Sequence, residues 1–288
     1  MPRILPTILV FDSGLGGLTV FREVVKARPD ARYVYVADDA FFPYGRHEEP
    51  ALIARLVPLM GELIATYRPD LVVIACNTAS TLALADLRAA YSVPFVGTVP
   101  AIKPACAASK TRLVSVLGTE ATVAREYTRK LIADFGQGCA VTLVGSAGLA
   151  SLAEAALRAE PVDDDAILEE IAPCFIERDG RRTDAVVLAC THYPLLSAHL
   201  TRLSPWPVAW IDPAPAIARR VVQLLGPPGL SGADPNDAAE VLAPDRVAFT
   251  SAIAPPPAVI RALIGFGLRL VDEAPAPLAQ RASHRPAF

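Results

Sequence analysis

Two segments of the chain are near copies of each other. Asp70-Leu-Val-Val-Ile-Ala-Cys76-Asn77-Thr78 and Asp184-Ala-Val-Val-Leu-Ala-Cys190-Thr191-His192 each run from an acidic residue through an apolar stretch to a cysteine and two polar residues. An apolar run that is short, unbroken and rich in Val, Ile and Leu reads as a strand buried on both faces, as in a parallel sheet. The cysteine then falls where the strand ends, and open α/β sheets bind ligands beyond the carboxyl ends of their strands. The chain therefore offers two thiols at equivalent positions of two similar halves. Facing thiols suit removal of a proton from one side of a carbon and delivery of a proton to the other.

The repeat extends beyond the cysteines. Ile8-Leu-Val-Phe-Asp12-Ser13 opens the first half, and Leu113-Val-Ser-Val-Leu-Gly118-Thr119 opens the second. Strand patterns fall near 7–11, 32–36, 70–75, 112–117, 139–144, 184–189 and 208–211, with helical patterns at 48–67, 79–90, 119–133, 148–158 and 212–225. Such alternation predicts parallel α/β layers. The link between halves is expected at Val96-Gly-Thr-Val-Pro100. Residues 1–98 plus 209–273 then form a first α/β domain and 99–208 a second. The 226–245 stretch reads as a loop, followed by a strand at 246–250, a helix at 258–265 and a strand at 268–271. Residues 274–288, with three prolines and few large apolar groups, are expected as a disordered tail.

Several function classes are disfavoured. At 288 residues, 52% apolar and 20% charged, the chain is long and apolar enough for a real core. A net charge of −3 with no basic block gives nucleic acid no electrostatic handle. No run reaches the roughly 18 apolar residues of a membrane span, and Asp12 interrupts the apolar start, so neither membrane nor signal peptide is expected. Five cysteines without a C-x-x-C pair argue against a disulfide framework and for reduced thiols in a cytoplasm.

Cys106, Cys139 and Cys174 read as small buried hydrophobes. Cys76 and Cys190 differ, because each precedes hydrogen-bonding residues and a helical pattern. A helix N-terminus lowers a thiol's pKa, which is the expectation for both. Asp12-Ser13-Gly14-Leu-Gly16-Gly17 is a tight turn feeding a helix, able to aim backbone N–H groups at a carboxylate. It is not the G-x-G-x-x-G nucleotide fingerprint. Asp12 is expected to hold a base or an ammonium rather than to cap. His192, two residues after Cys190, is a candidate proton-handling partner. Zinc on Cys76, Cys190 and His192 is the weaker alternative, as the spacing matches no common site. Pro43-Tyr44-Gly45 should open on the same sheet edge as Asp12 and Cys76.

Together Phe11-Asp-Ser-Gly-Leu-Gly-Gly-Leu18, Phe42-Pro-Tyr-Gly45, Ala75-Cys-Asn-Thr-Ala-Ser80, Val99-Pro-Ala-Ile-Lys-Pro-Ala105 and Ala189-Cys-Thr-His-Tyr-Pro194 resemble the glutamate racemases of the aspartate/glutamate racemase family. The resemblance spans roughly residues 7–222. It implies two pseudo-symmetric open parallel-sheet domains with the active site in the cleft between them. It implies a cofactor-independent enzyme that interconverts L- and D-glutamate and supplies D-glutamate for peptidoglycan, without metal, as a cytoplasmic homodimer. Cys76 and Cys190 are the implied acid/bases, Cys76 acting on D-glutamate and Cys190 on L-glutamate, with Asp12 and His192 assisting. Asp12, Ser13, Tyr44, Gly45, Asn77, Thr78, Thr191 and His192 are implied substrate contacts, and Pro43, Thr119 and Glu154 lesser candidates. Phe41 stands where many relatives have arginine, and Asp212-Pro-Ala replaces the commoner Asp-Ser-Gly.

The chemistry agrees with that implication. An amino acid's α-proton is a very weak acid, and pyridoxal enzymes solve this with a lysine Schiff base. Here Lys103 and Lys110 are the only lysines between residues 27 and 129, and neither ends an apolar strand. A sister racemase acting on aspartate or a hydantoin is the nearest alternative. A two-domain binding protein and a zinc hydrolase are more distant ones.

Overall fold

The computed structural model describes residues 5–136, 138–228, 245–251 and 253–270. The expected tail at 274–288, and most of the expected 226–245 loop, lie outside these residues. The strands, in chain order, are β1 Thr7–Asp12, β2 Arg32–Ala37, β3 Leu71–Ile74, β4 Phe95–Gly97, β5 Leu113–Thr119, β6 Ala140–Ser146, the hairpin pair β7 Glu177–Arg178 and β8 Arg181–Arg182, β9 Ala185–Ala189, β10 Ala209–Ile211, β11 Asp245–Phe249 and β12 Leu268–Leu270.

They assemble into a six-stranded sheet, β12-β11-β2-β1-β3-β4, and a four-stranded sheet, β10-β9-β5-β6. Every pairing within these two sheets is parallel. The repeat seen in the sequence is a repeat of topology. The local order β2-β1-β3-β4 in one sheet matches β6-β5-β9-β10 in the other. In each, the two duplicated strands lie side by side: Ile8 pairs with Leu71, and Val114 with Ala185. The chain leaves β1 to one side and β3 to the other, and β5 and β9 repeat this. That divergence is the switch point at which open α/β sheets leave a crevice.

Alternating residues of each strand feed separate cores. Ile8, Val10, Leu71 and Val73 pack on one face of the first sheet, while Leu9, Phe11, Val72 and Ile74 pack on the other. The second sheet divides likewise, with Leu117, Val186 and Leu188 on one face and Val116, Val187 and Ala189 on the other. Each such Leu, Ile or Val contributes roughly 1.5–3 kcal/mol by leaving water. The acidic residues that open the duplicated segments fasten neighbouring chain. Asp70 Oδ2 accepts from Thr7 N at 2.7 Å, and Asp184 accepts from the Ser109 hydroxyl at 2.6 Å and the Lys110 N–H at 2.7 Å.

The sequence boundaries need two corrections. Val96-Gly97 belongs to β4 rather than to the link, which starts at Thr98. Ala209–Ile211, expected in the first domain, pairs with Ala185–Val187 as the edge of the second sheet. It is the counterpart of β4, and a short edge strand carries too few residues to show its partner in the sequence. The helix that returns to the first sheet is Ala214–Leu225, whose Ala214, Ile217, Ala218 and Val221 join that core.

The expected 79–90 helix is two, Asn77–Leu82 and Leu84–Ala90. Thr81 Oγ1 back-bonds to the Asn77 and Thr78 carbonyls, which bends a helix. The expected 119–133 helix also splits, because Thr128 Oγ1 takes the Thr122 carbonyl at 2.7 Å. The Glu49–Tyr67 helix, 19 residues long, is long and apolar enough to cross a membrane by length and composition. Its Leu52, Leu56, Met60 and Leu63 are instead seated in the core beside the first sheet.

Candidate active site

Both duplicated cysteines sit at carboxyl ends of strands and are nearly closed off, Cys76 at 5% and Cys190 at 7% exposure. Cys76 is the N-cap of the Asn77–Leu82 helix, and its Sγ accepts from Ala79 N at 3.5 Å. Cys190 is not a helix cap. Pro194 helps set a 3₁₀ turn, Tyr193–Leu196, and the α-helix begins only at Ser197. Its sulfur faces His192 Nδ1 at 3.8 Å instead. The two cysteines thus have unlike partners, despite their shared sequence context.

Their electrostatics differ accordingly. Burial pushes the Cys76 thiol up to about 12, and the Asp12 and Cys190 charges add to it, against the Ala79 N–H and the Ser13 hydroxyl. The expected lowering by the helix terminus is present but outweighed by desolvation. At the other thiol, burial alone would lower the His192 pKa. Cys190 on Nδ1 and Glu154 on Nε2 outweigh that and hold it well above the ordinary value. Glu154 Oε1 lies 2.9 Å from Nε2 and accepts from Leu15 N at 2.7 Å. Burial would raise the Glu154 pKa, but His192, the Leu15 N–H and Arg158 bring it below the ordinary value. Cys190, His192 and Glu154 form one buried chain ending in an imidazolium–carboxylate pair.

The glycine turn after β1 brings the two sheets' sites together. Asp12 Oδ2 accepts from Gly17 N at 3.0 Å and Gly14 N at 3.3 Å, and Oδ1 from Thr191 Oγ1 at 3.3 Å. Asp12 therefore does cap its turn, contrary to expectation, because two converging N–H groups reach its carboxylate first. Burial raises its pKa, opposed by the His192 charge. The turn itself lies flat on the second sheet's residues, with Gly16 N 3.2 Å from His192 Nε2. A Cβ on Gly16 would stand 2.5 Å from His192 Nδ1 and 2.7 Å from its backbone nitrogen, so only glycine allows this approach. Thr19 Oγ1 adds a bond to the Thr191 carbonyl at 3.2 Å.

A second line of contact runs along the other side. Thr78 Oγ1 is 3.3 Å from Thr119 Oγ1 and 3.4 Å from Thr122 Oγ1. Gly45 packs close to Thr119, and Arg125 pairs with Glu49 at 2.9 Å. Tyr44 is 1% exposed, and its hydroxyl is committed to Asp38 at 2.6 Å, so Tyr44 and Gly45 are left with their backbone to offer a ligand. Pro43 precedes them, and the Phe42 ring faces the His192 ring at 5.3 Å. Phe41 stacks on His47 at 3.8 Å, which accounts for the loop's packing without an arginine there. Asp212 caps the Ala214–Leu225 helix through Ala214 N at 2.8 Å, away from this centre. Asn77 is 2% exposed, and neither atom of its amide has a protein partner. A buried amide without partners costs free energy unless a ligand satisfies it.

The residues singled out in the sequence thus converge on one centre. Thr122, Arg125, Glu49 and Asp38 also shape it and carried no sequence signal, since their partners lie far away in the chain. Among the described residues, no group of three or more His, Cys, Asp or Glu side chains is arranged to hold a metal ion.

Comparison with known proteins agrees with this geometry. Residues 12–221 match the Asp/Glu/Hydantoin racemase family model. The glutamate racemase of Brucella canis is 58% identical over 271 residues, covering 93% of this chain and 95% of that protein. The glutamate racemase of Brucella anthropi is 64% identical over 221 residues, 76% of this chain and 80% of that protein. Among solved structures, Escherichia coli glutamate racemase in complex with L-glutamate and the activator UDP-MurNAc-Ala superposes with a TM-score of 0.81 at 36% identity, over 93% of this chain and 97% of that one. The chain belongs to the Asp/Glu/hydantoin racemase family.

Proposed function

We propose that the chain is a glutamate racemase working by two-base proton transfer, with Cys76 and Cys190 as its acid/bases. The observation that carries this is the pair of buried strand-end thiols in one centre, each with its own and different polar partners. Cys76 is set up as a thiol, the form that donates. Cys190 has His192 Nδ1 3.8 Å from its sulfur, a partner for the proton exchanged on that face. For L-glutamate, the Cys190 thiolate takes the α-proton, and the electron pair left at Cα is shared with the substrate carboxylate. Cys76 then delivers its proton to the opposite face. The product is D-glutamate, with Cys190 as thiol and Cys76 as thiolate, and the reverse direction starts from that state. Ser13, Asn77, Thr78, Thr191 and the Tyr44–Gly45 backbone hold the substrate's polar groups and stabilise the developing charge. Closure around the substrate excludes water, which strengthens each of these interactions.

The glutamate racemases among the relatives favour glutamate over aspartate or a hydantoin. The reading carries a cytoplasmic homodimer with it, which light scattering tests separately. The central experiment follows the circular dichroism of L-glutamate, D-glutamate and L-aspartate with purified protein and no added cofactor. Decay of both glutamate signals to zero, with aspartate unchanged, is expected. A static glutamate signal overturns the proposal.

A further inference from the structure

Cys106 and Cys139 take no part in the racemase reading, and their sequence surroundings mark them as packing residues. The fold brings them together. Cys106 lies in the Ile102–Ala108 helix and is 5% exposed, while Cys139, half-buried, stands just before β6. Cys139 Sγ lies 3.8 Å from the Cys106 carbonyl oxygen. Arg112 reaches the same spot, with Nη1 3.2 Å from that carbonyl and 4.0 Å from Cys139 Sγ. The cluster sits on the face of the second sheet that carries Val114, Val116 and Val187, whereas Cys190 belongs to the opposite face. Two neighbouring thiols, one of them accessible and beside a guanidinium, have the composition of a redox-active pair.

We propose that Cys106 and Cys139 form a redox-active dithiol that closes to a disulfide by exchange with a low-molecular-weight disulfide of the glutathione type. Cys139 attacks, because it is the more accessible member and stands beside the Arg112 guanidinium. Its sulfur bonds to one sulfur of the small disulfide, whose S–S bond breaks, and one thiolate leaves and is protonated by water. Cys106 then loses its proton to water and attacks Cys139 Sγ. The protein disulfide forms and the second small thiol leaves. Two protein thiols are oxidised and one small disulfide is reduced to two thiols. Burial and the Cys139 thiol push Cys106 up to about 11, which suits the second, resolving role. Cys174 is the contrast: it is fully buried, and burial alone pushes it up to about 12. In a reducing compartment the pair stays open and closes when the disulfide pool rises. The product fastens the first helix after the crossover to the leading end of β6.

The test treats the whole protein with glutathione disulfide, blocks remaining thiols with N-ethylmaleimide and maps peptides by mass spectrometry without reduction. A peptide pair joined through Cys106 and Cys139, two hydrogens lighter than its parts and released by dithiothreitol, is expected. In Cys106→Ser, glutathione should remain on Cys139. In Cys139→Ser, Cys106 should stay unmodified. Wild-type racemase activity in both variants reports that they are folded, and the mapping itself does not depend on the racemase reading. Maleimide on both residues of the treated wild type overturns the proposal. So does glutathione on wild-type Cys139 at the level seen in Cys106→Ser.

Discussion

Cys76 and Cys190 descend from one sequence pattern, yet the side chains beside them make them unlike. Cys76 has a carboxylate, Asp12, acting on it, while Cys190 has His192 at 3.8 Å. A positioned acid or base contributes about 10²–10⁴-fold to a proton transfer. On the two-base proposal Cys76→Ala and Cys190→Ala should each lower kcat by at least that factor, because each removes the acid/base proposed for one face. Reaction of L-glutamate in deuterium oxide checks the division of labour: early product should carry solvent deuterium at Cα while remaining substrate carries none. Label appearing equally in both would point to a single base. Glu154 tests the support of Cys190. Its anion is one of the two groups that raise His192 above 6.5 against burial. Glu154→Gln should therefore drop the His192 pKa, and the alkaline limb of L-glutamate kcat/KM should move to lower pH. An unmoved limb would remove His192 from the proton chain. The pair's effect on stability follows the same signs. The raised His192 contributes fully below 6.5 and loses its contribution as pH rises through its folded value. The lowered Glu154 contributes fully above 4.5 and loses it as pH falls through its folded value. Unfolding of wild type and Glu154→Gln should differ most between those limits.

At the scale of elements, the loop that carries Tyr44 and Gly45 is fixed by one buried carboxylate. Asp38 is fully buried at the end of β2. Its Oδ2 accepts from the Tyr44 hydroxyl at 2.6 Å and Arg55 Nε at 3.1 Å, and its Oδ1 from Arg55 Nη2 at 2.6 Å and Thr250 Oγ1 at 2.5 Å. Ser251 anchors the adjacent Asp39 through both its backbone N–H and its hydroxyl. Arg55→Ala leaves Asp38 buried without its counter-charge, which should cost about 3 kcal/mol in a urea melt. Tyr44→Phe removes one neutral donor and should cost about 1 kcal/mol with activity largely kept, since the hydroxyl is committed to Asp38. Loss of turnover in Tyr44→Phe would mean the hydroxyl serves the reaction directly. None of this network is legible in the sequence, because Thr250 reaches Asp38 only through the parallel pairing of β2 with β11, and Arg55 comes to it from the Glu49–Tyr67 helix. The strands that carry the chemistry were legible for the opposite reason. β1, β3, β5 and β9 are buried on both faces, so their composition is set by the core, whatever their neighbours. β4 and β10, three-residue edges, have no such signature, and the domain boundary was misplaced by their length.

The whole molecule shows its two sheets' sites pressed together. Gly14 and Gly16 lie against Glu154 and His192, Thr78 meets Thr119, and Glu49 meets Arg125. With both thiols nearly closed off, a substrate reaches them only when these contacts part, and chemistry requires that they re-form. The tightest contact is the Gly16 turn, where backbone meets backbone. A Cβ at Gly16 would stand 2.7 Å from His192 N, and no side-chain rotation relieves that approach. The two faces must then stay apart by a fraction of an ångström or more at this point. Each sheet keeps its own core, since Gly16 itself contributes no side chain to either. Gly16→Ala should therefore keep the wild-type circular dichroism and melt close to wild type. Its kcat should fall by on the order of 10²-fold, the cost of displacing reacting groups by about 1 Å. KM should change less, because the polar groups that hold the substrate on the first sheet are untouched. A Gly16→Ala enzyme with wild-type kcat would show that the sheets react at a wider spacing than this one, and the closed contact of His192 with the glycine turn would then belong to the resting enzyme alone.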